Sequence, residues 1–110
     1  MPQLTRAKIL RVHVSAADKY DGKPLYEAIV SRCREMSIGG ATVFEGLEGF
    51  GETAAIHRRH LIGGDQPVVI VVVDSPENID RIAPVIEAMI GTGVIAISDA
   101  EMTRVQKHEI

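Results

Sequence analysis

The chain has 110 residues, enough for one domain and too few for a second core. Hydrophobic residues make up 45% and aromatics only 4%, with no Trp, so any core is built from aliphatic side chains. The net charge of −3 argues against a sequence-independent hold on nucleic-acid phosphates, and the one cysteine, Cys33, excludes an internal disulfide and fits a reducing compartment.

The N-terminal stretch "MPQLTRAKILRVHVS" puts Arg6, Lys8 and Arg11 where a signal peptide needs its apolar run. The most apolar run, "PVVIVVVD", is far too short to cross a bilayer as a helix, so the expectation is a cytoplasmic protein. Residues 7–14 alternate as a strand, with Leu10, Val12 and Val14 on one face and Arg11 and His13 on the other. A polar loop follows, with a turn at Asp21-Gly22. Pro24 sits where a helix favours its first proline, and Leu25, Ala28, Ile29, Cys33 and Met36 then recur at helical spacing until Gly39 and Gly40.

A second strand is expected over residues 41–46, and most of residues 46–66 reads as loop. Pro67 opens a third strand, "VVIVVV". Ser75, Pro76 and Glu77 make a strong helix start, and Ile79, Ile82, Ile86 and Met89 mark its buried stripe. Pro84 inside that helix removes a backbone donor and predicts a bend. Gly91 and Gly93 bracket Thr92 in a turn before a fourth strand, "VIAISDAEMTRV".

The order β-α-β-β-α-β predicts one α+β domain over residues 1–110. It has the ferredoxin-like plan, a four-stranded antiparallel sheet with two helices on one face. In "VVIVVV" both faces are equally apolar, which requires cover on both sides. The helices supply one, so the other is expected to be buried by further copies of the chain.

Motifs for catalysis are missing: no HExxH, CxxC, GxSxG or GxxxxGK[ST] occurs, and the chain is read as a non-enzyme. Cys33 falls on the buried stripe of its helix and reads as core. His57 and His60 flank Arg58 and Arg59, whose charge disfavours a cation between them. Glycines carry more information. Gly49 and Gly51 let a ligand approach the main chain, and Gly91-Thr92-Gly93 follows a helix where successive N–H groups can cradle an anion. Arg58, Arg59, Arg104 and Lys107 are the candidate sources of positive charge.

The stretch "GATVFEGLEGFGETAAIH" resembles the strand and T-loop opening of PII-type nitrogen signal proteins, and "GTGVIAI" is similar to their B-loop and following strand. The longer run "DGKPLYEAIVSRCREMSIGGATVFEGLEGFG" more closely resembles a PII-like family numbered 190 among the domains of unknown function. The resemblance spans roughly residues 9–105. It implies a homotrimer with the sheets facing a threefold axis, and inter-subunit clefts that hold an adenine nucleotide. It also implies a mobile T-loop-like segment at about 46–66, acting on a partner protein. Relatives of this kind are associated with fluoride-export channels, so the implied partner is a membrane transporter or channel. Gly49 and Gly51 match the T-loop start, Gly91, Thr92 and Gly93 the B-loop, and Arg104 and Lys107 the basic tail. The resemblance stops short of nitrogen sensing: the chain runs Glu52-Thr53-Ala54-Ala55 where the PII loop has a glutamine.

Two other readings share the subunit plan. A divalent-metal-binding trimer similar to the cation tolerance proteins would need Cys33, His57 and His60 to converge. A ligand-free structural trimer needs no site. An RNA-recognition module is set aside, because the third strand has no aromatic on which to stack a base.

Overall fold

The computed structural model describes residues 3–50 and 66–107. Among these described residues, six strands and two helices follow in the order β1 (Thr5–Ser15), β2 (Lys19–Tyr20), β3 (Lys23–Pro24), α1 (Leu25–Glu35), β4 (Thr42–Glu45), β5 (Pro67–Asp74), α2 (Pro76–Met89) and β6 (Val94–Met102). The main sheet is antiparallel with strand order β4-β5-β1-β6, the ferredoxin-like arrangement expected from the sequence.

The strands β2 and β3, read from sequence as loop, form a small hairpin. Asp21 and Gly22 both have positive φ, 50° and 80°, as the two-residue turn of such a hairpin demands. Pro24 lies just before α1, in the extended conformation of the cap position, rather than inside the helix. The end of α1 also differs from expectation. Ser37, not a glycine, takes the left-handed conformation at φ 61°. Its N–H donates to the Arg34 carbonyl at 3.1 Å, and Ile38 N–H reaches back to Cys33 at 2.9 Å. This is a Schellman closure, and buried Ile38 makes its accompanying apolar contact.

Helix α2 starts as its sequence dictates: Ser75 Oγ accepts from the Asn78 N–H at 3.1 Å and Pro76 follows. The helix continues through Pro84 to Met89. Leu10, Val12 and Val14 of β1 and Val68, Ile70 and Val72 of β5 form the core with the inner stripes of both helices, Leu25, Ile29 and Cys33 on α1 and Ile79, Ile82, Ile86 and Met89 on α2.

Residues directly opposite in an antiparallel pair share a face. Ile9, Arg11 and His13 of β1 therefore point with Val69, Val71 and Val73 of β5, away from the helices. Phe44 joins them from β4, opposite Val69, and remains about half exposed. Among the described residues no element covers this second face, which carries the outer apolar side of "VVIVVV".

Candidate functional site at the glycine end of the sheet

The two ends of the sheet carry different chemistry. At one end, β1 closes with Ser15, β5 opens with Pro67 and β6 opens with Val94. Three connections meet there. After β1, Ser15 and Asp18 form a closed polar turn. The Asp18 carboxylate accepts from the Ser15 N–H at 3.0 Å, and Ser15 Oγ accepts from the Ala17 N–H at 3.1 Å. After β4, Gly46 donates to the Pro67 carbonyl at 2.7 Å. A Cβ on Gly46 would meet the Pro67 ring at 2.8 Å, so any side chain there would force the ring or the strand end to move. After α2, Gly91-Thr92-Gly93 turns the chain into β6.

These connections enclose a cleft of about 420 Å³ lined by His13, Asp18, Gly49, Phe50, Thr92 and Gly93, among others. On the other side of the turn, a second groove of about 470 Å³ lies between the C-terminal half of α2 and β6. Ala83, Ile90, Ile95 and Ile97 line it, with Glu87 at its polar margin and Gly91 and Gly93 at its mouth. Both volumes are in the range of small-molecule sites. The glycine turn thus stands between two grooves that each combine apolar and polar lining, with Phe50, Val68, Val69 and Val94 joining His13, Asp18 and Glu48 in the first.

The two turn glycines are not equivalent. A Cβ on Gly93 would meet the His13 carbonyl oxygen at 2.7 Å and the Ile90 and Val14 side chains at 3.1 and 3.2 Å. Gly93 is therefore required by packing against β1. A Cβ on Gly91 would meet nothing within 4 Å, so that glycine leaves its backbone open to a ligand.

Of the predicted cations, neither Arg104 nor Lys107 lines this cleft. Among its described lining residues, Asp18 and Glu48 are acidic and His13 is the basic group. Arg104 and Lys107 follow β6, at the far end of a nine-residue strand, about 30 Å away at ~3.3 Å per residue. Gly51, Arg58, Arg59, His57 and His60, and most of the expected T-loop-like segment, lie outside the described residues.

At that opposite end Arg104 has a partner the sequence did not suggest. Its Nη2 lies 3.7 Å from Oδ1 of Asp74, whose side chain is only 3% exposed. Asp74 also accepts from the Ser75 N–H at 2.7 Å and the Gly39 N–H at 2.8 Å. Burial alone would raise its carboxyl, but the bonds from Gly39 and Ser75, helped by Asn78 and Arg104, hold it below the usual carboxylate range. Asp74 thereby ties the loop after α1, the start of α2 and the tail into one knot. The sequence signal for it was weak, because an acid before Ser-Pro reads as part of a helix start, whereas Gly39 is 35 residues distant.

Cys33 is buried in the core, and burial pushes its thiol up. It is not available to converge with histidines, and no group of three or more His, Cys, Asp or Glu side chains suited to a metal occurs among the described residues. No helix among them is long and apolar enough to cross a membrane.

A family model, DUF190 (Uncharacterized ACR), matches residues 7–102. A UPF0166 protein of Aquifex aeolicus (strain VF5) is 31% identical over 102 residues, covering 91% of this chain and 96% of its own. Among solved structures, CPII from Thiomonas intermedia K12, a nitrogen regulatory PII-like protein bound to ADP, AMP and bicarbonate, superposes with a TM-score of 0.69. It is 19% identical, with 94% of each chain covered. A putative PII-like signaling protein from Thermus thermophilus gives a TM-score of 0.64 at 12% identity, covering 91% of this chain and 92% of that one.

Proposed function

The chain belongs to the DUF190 family and has a PII-like fold, and from that premise we propose that it is a homotrimeric regulator which binds an adenine nucleotide between subunits. The observation that carries this reading is the open glycine turn between two grooves, each with apolar walls beside polar groups. A nucleotide needs an apolar wall for its base and backbone donors for its phosphates, and the turn at Gly91, Thr92 and Gly93 stands where both are within reach. The ADP and AMP held by CPII support that choice of ligand.

A single copy supplies no arginine or lysine to the cleft among the described residues, whereas phosphates call for charge-assisted donors. Those donors come from a neighbouring copy's Arg104 or Lys107, or from Arg58 and Arg59 of the long loop. The bare face of the sheet is the contact surface: Val69, Val71, Val73 and Phe44 turn toward the threefold axis. Gly49 and Gly51 start the loop, residues 46–66, which engages a partner protein, a membrane transporter or channel by resemblance.

Calorimetry with ATP, ADP, AMP and cyclic AMP tests this, using the wild type and Gly91→Val. At least one nucleotide binds the wild type, with affinity falling as salt rises. Gly91→Val keeps the fold and loses the heat of binding. If none of the four gives a signal at millimolar concentration, a ligand-free trimer is the better description.

A further inference from the structure

We propose that the bare sheet face carries a second site, for a small inorganic oxyanion, built by Arg11 from each copy around the symmetry axis of the assembly. The proposal rests on the assembly reading above and concerns a place on the same sheet face as the cleft, two residues along β1 from His13.

Arg11 stands mid-strand on β1, next to the centre of the sheet, opposite Val71 on one side and Ala96 on the other. Its guanidinium therefore leaves the face between an aliphatic side chain and a methyl group. Among the described residues one weak bond serves it in the single chain, from Nη1 to Ser98 Oγ at 3.5 Å. No carboxylate shares this face among the described residues. The strand acids Glu45, Asp74, Asp99 and Glu101 pair with Val68, Lys8, Lys8 and Arg6, all on the helix side.

A second copy is the occupant that fits the face. Its strand residues cover about 500 Å² in projection, at ~16 Å² each. That is on the scale of the ~800 Å² of accessible surface per partner that a stable contact buries. Half-exposed Phe44, Val73 and Val94 supply the apolar drive. Of the side chains on a face turned toward a rotation axis, those near its middle lie nearest that axis, which sets Arg11 close to its own mates. Guanidinium groups withdrawn from water without a counter-charge oppose assembly. An oxyanion resolves the conflict, because each planar fork donates to it bidentately.

The test combines sedimentation with thermal melting in inorganic phosphate, at constant ionic strength made up with chloride. The wild type sediments as an assembly, and its melting temperature rises saturably with phosphate. Arg11→Met assembles, melts higher than wild type without phosphate, and loses the saturable rise; Arg11→Lys retains part of it. Phosphate held at the glycine turn would be lost in Gly91→Val, so a response that survives Gly91→Val and disappears in Arg11→Met assigns it to Arg11. An assembled wild type whose response matches Arg11→Met overturns the anion site alone. Arg11→Met falling apart with no phosphate response in the wild type also overturns it, placing a neighbour's carboxylate on Arg11. A wild type that sediments as a monomer overturns the assembly reading, and this site with it, before any melt is run.

Discussion

The two ends of the sheet are held by opposite means. At the Asp74 end, one buried carboxylate accepts two backbone N–H groups, meets Arg104 and joins three segments far apart in sequence. At the glycine end, apart from the Ser15–Asp18 turn, connections close through backbone contacts: Gly46 against Pro67, and Gly93 against the His13 carbonyl. The first end spends its polar groups on itself. The second leaves Gly91 unobstructed between two grooves. On the proposed function, stability and binding lie at opposite ends of the same strands, so substitutions at the two ends should separate as well.

The largest effect is expected at the closed end. Asp74→Ala leaves the Gly39 and Ser75 N–H groups without their acceptor and should destabilise the fold by about 2–4 kcal/mol, read from urea unfolding. The Asp74 carboxyl titrates lower in the folded than in the unfolded chain. Its stabilising contribution is therefore complete above the ordinary carboxylate range and drains away as pH falls through that range toward the folded value. The stability gap between wild type and Asp74→Ala should narrow with acid. A gap unchanged by pH would mean the carboxylate's charge is irrelevant to the knot.

Gly93→Val comes next. Its side chain would have to displace the His13 carbonyl or open β6 from β1, at about 1–3 kcal/mol. This substitution weakens the glycine end structurally, so any loss of binding it causes says little about the ligand. Arg104→Ala should cost less, at most about 1 kcal/mol, because the guanidinium is largely exposed and Asp74 keeps its backbone donors. Gly91→Val is the smallest: about 0.5 kcal/mol or less in either direction, with nucleotide binding abolished. If instead it unfolds the protein while Gly93→Val is silent, the two glycines have the reverse roles.

Much of this architecture was legible in the sequence. The alternation in β1, the Ser75-Pro76 start of α2 and the doubly apolar β5 each depend on residues close together in the chain. What escaped was either local but unusual or long-range. Ser37 closes α1 in a conformation that glycine normally takes, so Gly39 and Gly40 looked like the stop. The hairpin of β2 and β3 is too short to show a period. Asp74 acts across 35 residues, a distance no pattern in one sequence reports. At the candidate site, the motif at Gly91 and Gly93 was visible, but its division of labour depends on what packs against each α-carbon. The placement of Arg104 beside Asp74, away from the turn, likewise required the strand register.

Native mass spectrometry of the intact protein titrated with ADP and AMP bears most directly on the central claim, that copies of this chain bind an adenine nucleotide between them at the glycine end. The account predicts a trimer that takes up as many as three nucleotides, with Gly91→Val remaining a trimer and taking up none. A monomer that binds nucleotide, or a trimer that stays bare in the presence of both, would contradict it.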